Sequence, residues 1–142
     1  MIVRESGARL NRMIDDALAK GAKIAAGGRA DGAVMPATII DFVTPGMQIY
    51  DEETFGPITT VVRARNTEDA VRIANDTAYG LSSGVFGRDV TRALAVAMRI
   101  ESGSCHINGA TVQNELKLPM AALKTVAMAD STDAPSLMSS PN

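Results

Sequence analysis

A chain of 142 residues, 46% apolar and 21% charged, has the composition of one ordinary soluble domain, long enough to bury a single core and too short for a two-domain enzyme. Fourteen Lys and Arg against 16 Asp and Glu leave a formal charge of −2, which gives no electrostatic reason to expect nucleic acid or an anionic membrane surface. The single cysteine, Cys105, excludes an intrachain disulfide and a cysteine-cluster metal site, and without a long apolar run or a secretory leader the expected compartment is the cytoplasm.

From about Arg9 to Lys20, Leu10, Met13, Ile14, Ala17 and Leu18 recur with helical spacing, so the pattern predicts an amphipathic helix stopped by Gly21. Lys23 to Ala26 reads as a short strand, Gly27 to Gly32 as a turning loop, and Ala37 to Val43 as an extended run ended by Thr44-Pro45-Gly46. After the break at Phe55-Gly56-Pro57, Ile58 to Arg63 is apolar on both faces and predicts a buried strand. Asn66 or Thr67 can cap a helix running to Thr77, with Glu68 and Asp69 in its first turn. Leu81 to Phe86 is a strand, and Asp89 caps a helix carrying Val90, Ala93, Leu94, Ala97 and Met98 on one face. Gly103 closes that helix, and Ser104 to Ile107 is the next strand. Strands alternating with helices predict an α/β fold with a partly parallel sheet and flanking helices.

Several sites are weighed and set aside on their residues. Gly27 to Gly32 has P-loop glycine spacing but is followed by Ala33 and Val34 where Lys and Ser or Thr are required, so it is a turn, and no GxGxxG follows a strand. Cys105 and His106 are neighbours in a strand, point to opposite faces, and form no nucleophile–base pair. Cys105 reads as buried structure and His106 as hydrogen-bonded structure. Asp51-Glu52-Glu53 alone reads as a solvated turn. The Gly56-Pro57 pair fixes the backbone just beyond it, so Glu53 and Phe55 can be held in defined directions, as a ligand-contacting loop requires.

The run Asp51-Glu52-Glu53-Thr54-Phe55-Gly56-Pro57 resembles the Glu-Glu-x-Phe-Gly-Pro motif of the NAD(P)-dependent aldehyde dehydrogenase superfamily. Met35-Pro36-Ala37-Thr38 upstream resembles the same family, as do Ala74-Asn75-Asp76-Thr77-Ala78-Tyr79-Gly80-Leu81, Phe86-Gly87-Arg88-Asp89 and Ile107-Asn108-Gly109 downstream, in the same order. Cys105 to Gly109 with Thr111-Val112 resembles the branch acting on aromatic aldehydes such as vanillin and salicylaldehyde. The resemblance implies that Glu53 hydrogen-bonds the nicotinamide ribose hydroxyls, that Phe55 packs beside the nicotinamide ring, and that the loop from Asn108 to Gln113 approaches the substrate mouth. It assigns no metal.

In that family a cysteine attacks the aldehyde, a glutamate is the general base, and a Rossmann-like domain binds NAD or NADP, all upstream of the motif held here. The resemblance therefore implies a partial catalytic domain over residues 1–119, with no catalytic residue of its own. By itself such a chain is expected to be inactive and not to hold the cofactor. Cys105 follows the motif and is not the family nucleophile. Beyond Pro119 the family continues Gly-Gly-Val-Lys-x-Ser-Gly-Tyr-Gly-Arg-Phe, whereas this chain reads Met120-Ala121-Ala122-Leu123-Lys124 onward. Codons chosen for Met120 to Ser131 and regrouped from the last base of the first encode Gly-Gly-Val-Glu-Asp-Ser-Gly-Tyr-Gly-Arg-Phe. Residues 120–142 are accordingly expected to be a disordered or non-native tail read out of frame. Two functions stay open: part of an aldehyde-oxidising enzyme completed by a partner chain, or a non-enzymatic remnant or interaction module docking on an intact relative.

Overall fold

The computed structural model describes residues 4–111, in two compact units divided between Thr77 and Ala78. The first unit begins with α1 (Arg4–Ala19), which starts earlier than the apolar stripe alone indicates. Its stripe of Leu10, Met13, Ile14 and Ala17 is fully buried, each large aliphatic side chain contributing about 1.5–3 kcal/mol, while Leu18 is only partly covered. Gly21, at φ 101°, ends the helix. The Ala22 N–H reaches the Ala17 carbonyl at 3.0 Å and the Gly21 N–H the Leu18 carbonyl at 3.1 Å, a Schellman closure that satisfies the last carbonyls.

Strand β1 (Lys23–Ala26) pairs antiparallel with β2 (Thr38–Asp41), with an irregularity between Ile24 and Ala26. Strand β2 pairs parallel with β3 (Ile58–Val61), in register from Thr38 opposite Ile58 to Asp41 opposite Val61. Along β2, Thr38 and Ile40 are buried and Ile39 is exposed, the two-residue alternation of a sheet covered on one face. The same one-sided covering corrects the expectation for β3. Ile58 is buried, but Thr59 is exposed and Thr60 and Val61 are half-buried. The β2–β3 crossover carries a one-turn helix, α2 (Gln48–Asp51), that the sequence pattern did not indicate; Ile49 and the preceding Met47 anchor it in the α1 core.

Helix α3 (Thr67–Asn75) is capped by Asn66, whose side chain accepts the Asp69 N–H at 2.9 Å, so of the two expected caps the structure selects Asn66. The second unit is a βαβ arrangement: β4 (Ser82–Val85) and β5 (Ser104–Ile107) are parallel neighbours joined through α4 (Val90–Ala97). Asp89 caps α4 by accepting the Arg92 N–H at 3.0 Å. The single apolar face expected for α4 divides in two. Ala93 and Ala97 are buried, whereas Val90, Leu94 and Met98 are exposed, because the small side chains let this helix close on the strand pair and the large ones lie on the flank. The α/β class and the partly parallel pairing are as expected, but the strands form two separate sheets. The 119/120 boundary and the tail from 120 to 142 lie outside the described residues. No helix among the described residues is long and apolar enough to cross a membrane.

Candidate functional site

The loop between α2 and β3 is anchored along its length. The Arg9 guanidinium, on α1, donates to the carbonyl oxygens of Glu53 and Thr54, the Thr38 N–H donates to the Pro57 carbonyl at 2.8 Å, and the Ile58 N–H closes a tight turn onto Gly56 at 2.7 Å. Gly56 sits directly on Leu10, and a Cβ there would fall well inside van der Waals contact with Cδ1 of that fully buried leucine. Within this frame the acidic run is differentiated. Glu52 Oε1 accepts from Gln48 Nε2 at 3.0 Å, whereas the exposed Glu53 carboxylate has no hydrogen-bond or ion-pair partner among the described residues.

Phe55 adopts φ 46°, a left-handed conformation that is costly for a bulky side chain, and its ring is 62% exposed. The packing of the described residues gives no reason for an aromatic ring to be held in solvent on a strained backbone. The expected pair is therefore presented together, Glu53 with both oxygens available and Phe55 two residues on, on a loop whose backbone is tied to α1 and β2. This donor set suits a ribose and a flat ring: a carboxylate accepts from two vicinal hydroxyls and an apolar ring packs against an aromatic heterocycle.

Behind the loop, Tyr50 donates its hydroxyl to Asp76 Oδ2 at 2.7 Å, tying α2 to the end of α3. Burial, reinforced by the Asp76 carboxylate, pushes the Tyr50 phenol up to about 12. The Gln48 N–H donates to Asp16 at 2.7 Å, and the Lys20 ammonium, with that backbone bond, holds the Asp16 carboxyl below its usual range.

In the second unit Cys105 is half-buried, not buried as expected. His106 also departs from expectation: its Nε2 is buried and has no hydrogen-bond partner among the described residues. Asn108, at φ 53°, clasps Gly87 through both backbone groups, Oδ1 accepting the Gly87 N–H at 2.8 Å and Nδ2 donating to the Gly87 carbonyl at 2.9 Å. Thr111 accepts from Ser82 Oγ at 3.2 Å, and the rest of the expected substrate-side loop, from Val112, lies outside the described residues. Arg9 and the Asn108 clasp were not singled out from sequence. Arg9 gives no local signal, whereas Asn108 before a glycine at a strand end is a readable left-handed turn.

A family model described as the aldehyde dehydrogenase family matches residues 1–131. The chain belongs to the aldehyde dehydrogenase family. A salicylaldehyde dehydrogenase from Pseudomonas putida G7, solved with salicylaldehyde, is 60% identical and superposes with a TM-score of 0.84 over 87% of this chain and 26% of that one. The vanillin dehydrogenase of Pseudomonas sp. strain HR199 is 45% identical over 125 residues, 88% of this chain and 26% of the relative. An NADP-dependent glyceraldehyde-3-phosphate dehydrogenase from Bacillus halodurans C-125, solved with NADP, is 33% identical with a TM-score of 0.82, over 87% of this chain and 26% of that chain. This aldehyde dehydrogenase chain thus spans about a quarter of the length of the relatives it matches.

Proposed function

We propose that the chain contributes the nicotinamide-side wall of an NAD(P)-dependent aldehyde dehydrogenase acting on an aromatic aldehyde. The overall change is aldehyde, water and NAD(P)⁺ to carboxylate, NAD(P)H and two protons; the cofactor, when bound, accepts the hydride from the aldehyde carbon. The observation that carries this reading is the anchored loop that leaves Glu53 unpartnered and Phe55 exposed at positive φ. Glu53 would accept from the ribose hydroxyls and Phe55 would set the ring's orientation, while Arg9 and Leu10 keep both from drifting. The similarity to salicylaldehyde and vanillin dehydrogenases supports the aromatic substrate class.

The chain's one thiol, Cys105, lies on β5 after the motif, so the 142 residues alone are inactive in this proposal. The nucleophile, the general base and the cofactor domain belong to the remaining three quarters of such an enzyme, whose proposed setting is the cytoplasm. The segment from Met120 is proposed as family coding sequence in a shifted frame, and codons incompatible with that shift would refute it.

The experiment is reduction of NAD⁺ or NADP⁺ with salicylaldehyde by the purified chain, alone and mixed with a polypeptide supplying the remaining three quarters of a salicylaldehyde dehydrogenase. Turnover is expected only in the mixture, and Glu53→Gln should weaken cofactor binding there by about tenfold, the worth of one charge-assisted hydrogen bond. Turnover by the chain alone, abolished in Cys105→Ala, would make Cys105 the nucleophile and overturn the proposal. Association without turnover would leave the chain as a non-enzymatic module.

A further inference from the structure

At the opposite end of β3 from Phe55 lies a second feature. Strands β2 and β3 run parallel, so their carboxyl ends face the same way, the edge at which parallel sheets ordinarily receive ligands. There the chain leaves β2 through Phe42 to Pro45 and β3 through Val62 to Arg65, and α3 closes the third side. The result is an open cleft of about 280 Å³. Val43, Pro45, Val62 and Ile73 give it apolar walls, and Arg63, Arg65 and Arg72 line it with guanidinium groups.

Each of these guanidiniums is tied to a carboxylate, although all three side chains are largely exposed, Arg65 to 83%. Asp69, only 7% exposed, accepts from Arg65 Nε at 3.0 Å through Oδ2 and from Arg72 Nη2 at 2.9 Å through Oδ1. Asp41 accepts from Arg63 Nε at 3.0 Å, and the Arg63 guanidinium also lies 5.0 Å from the ring centre of Phe42. Each guanidinium has five N–H groups, and Arg65 uses one, Arg63 and Arg72 two each, on side-chain acceptors among the described residues. Three cations face two carboxylates already engaged, so the cleft keeps an excess of positive charge and oriented donors. Phe42, half-exposed and at φ 60°, stands at the wall in a strained backbone conformation, with the Lys23 ammonium 5.4 Å from its ring centre as well as Arg63.

We propose that this cleft binds a small aromatic carboxylate, its ring on the apolar wall beside Phe42 and its carboxylate on the Arg63, Arg65 and Arg72 donors. An inorganic anion would satisfy the arginines and leave the apolar walls wet; a neutral aromatic would leave the donors without an anion. The proposal stands on the cleft alone and goes beyond the nicotinamide-side reading, which concerns the other end of β3.

The test is titration of the full 142-residue chain with benzoate, benzamide and inorganic phosphate, followed by amide NMR shifts. Benzoate is expected to bind about tenfold more tightly than either control, and Arg65→Gln to weaken it by about fivefold, one guanidinium contact being lost. Arg65→Gln leaves Asp69 bonded to Arg72 and to the Arg65 backbone N–H, so the α3 cap is kept; Arg63→Gln provides an independent variant on the other wall. Equal binding of benzamide, equal or tighter binding of phosphate, no benzoate binding by a chain with intact helical circular dichroism, or unchanged affinity in both variants would each overturn the proposal.

Discussion

The Arg9 guanidinium donates to the Thr54 carbonyl oxygen, so a side chain on the first helix holds the backbone of a loop forty-five residues later. The contact matters because the loop has no regular structure of its own to fix Glu53 and Phe55. Arg9→Met keeps the side chain's apolar stem and removes the donors. Urea unfolding is expected to show a loss of about 1–2 kcal/mol, with exchange broadening of the Thr54 and Phe55 amides. A stability equal to the parent and sharp loop signals would mean that water serves those carbonyls equally well.

Leu10 and Gly56 form a coupled pair in the same frame. Gly56→Ala forces a methyl group onto a buried leucine, and Leu10→Ala alone should cost about 2–5 kcal/mol by leaving a cavity. In the double variant the new methyl enters the space vacated by Leu10, so the combined loss should be smaller than the sum of the two. Strict additivity, measured as a double-mutant cycle, would show that the loop shifts aside instead.

Asp69 determines an acid-side pH dependence. The Arg65 guanidinium first, then the Arg65 backbone N–H and Arg72, hold its carboxyl well below the usual range. A carboxylate with a depressed folded value binds its proton more readily in the unfolded chain. Its contribution is therefore present above the unfolded value of about 3.9 and is lost as pH falls through the lower folded value. Asp41, held down mainly by Arg63, acts in the same direction. The urea midpoint should decline below about pH 4, and less steeply in Asp69→Asn; parallel curves for the two proteins would exclude Asp69 as a source.

Tyr50 works at the other end of the scale. Its phenol, raised to about 12 by burial and by Asp76, favours the neutral form in the folded chain. The associated stability is present below the unfolded value of about 10 and disappears as pH rises through the folded one. In a Tyr79→Phe background, ultraviolet titration should place tyrosinate formation near 12, and Asp76→Asn should lower it. A phenol unmoved by Asp76→Asn would mean that the Tyr50–Asp76 bond is not formed in solution.

Asn108 serves two needs that separate substitutions can distinguish. Asn108→Gly removes the clasp on Gly87 but tolerates φ 53°, whereas Asn108→Ala removes the clasp and adds the cost of a left-handed alanine. Thermal unfolding should rank the parent above Asn108→Gly and that above Asn108→Ala, the last two separated by about 1 kcal/mol. Identical stabilities for the two variants would show that the turn relaxes once the amide is gone.

The stop of α1, the two helix caps and the core stripe are legible because local chemistry determines them: Gly21 in its closing turn, Asn66 and Asp89 as caps, and Leu10, Met13, Ile14 and Ala17 all act within a few residues. The ends of α3 and α4 are not: α3 stops at Asn75 rather than Thr77, and α4 at Ala97, well before the expected stop at Gly103. Nor is burial on α4, because Ala93 and Leu94 differ by one position and only the neighbouring strand pair decides which turns inward. The α2 turn leaves no signal in the sequence because four residues are too few for a helical period, and its anchors, Met47 and Ile49, gain meaning only against α1. Glu53 and Phe55 were found through a motif. The anchor at Arg9 and the arginine-lined cleft depend on residues brought together from separate elements, which no spacing rule encodes.

Thr38 has a buried hydroxyl that accepts the Gly28 N–H at 3.0 Å and faces two carbonyls, Gly28 at 2.8 Å and Pro36 at 2.9 Å. One hydroxyl proton cannot satisfy both carbonyls at once, so it is shared between them in time. The Gly28 amide, although in an irregular loop, is closed off by a core residue of the sheet. Its deuterium exchange should therefore follow the opening of the whole first unit rather than the fraying of the loop around it. A glycine between two strands thus becomes a local clock for global unfolding.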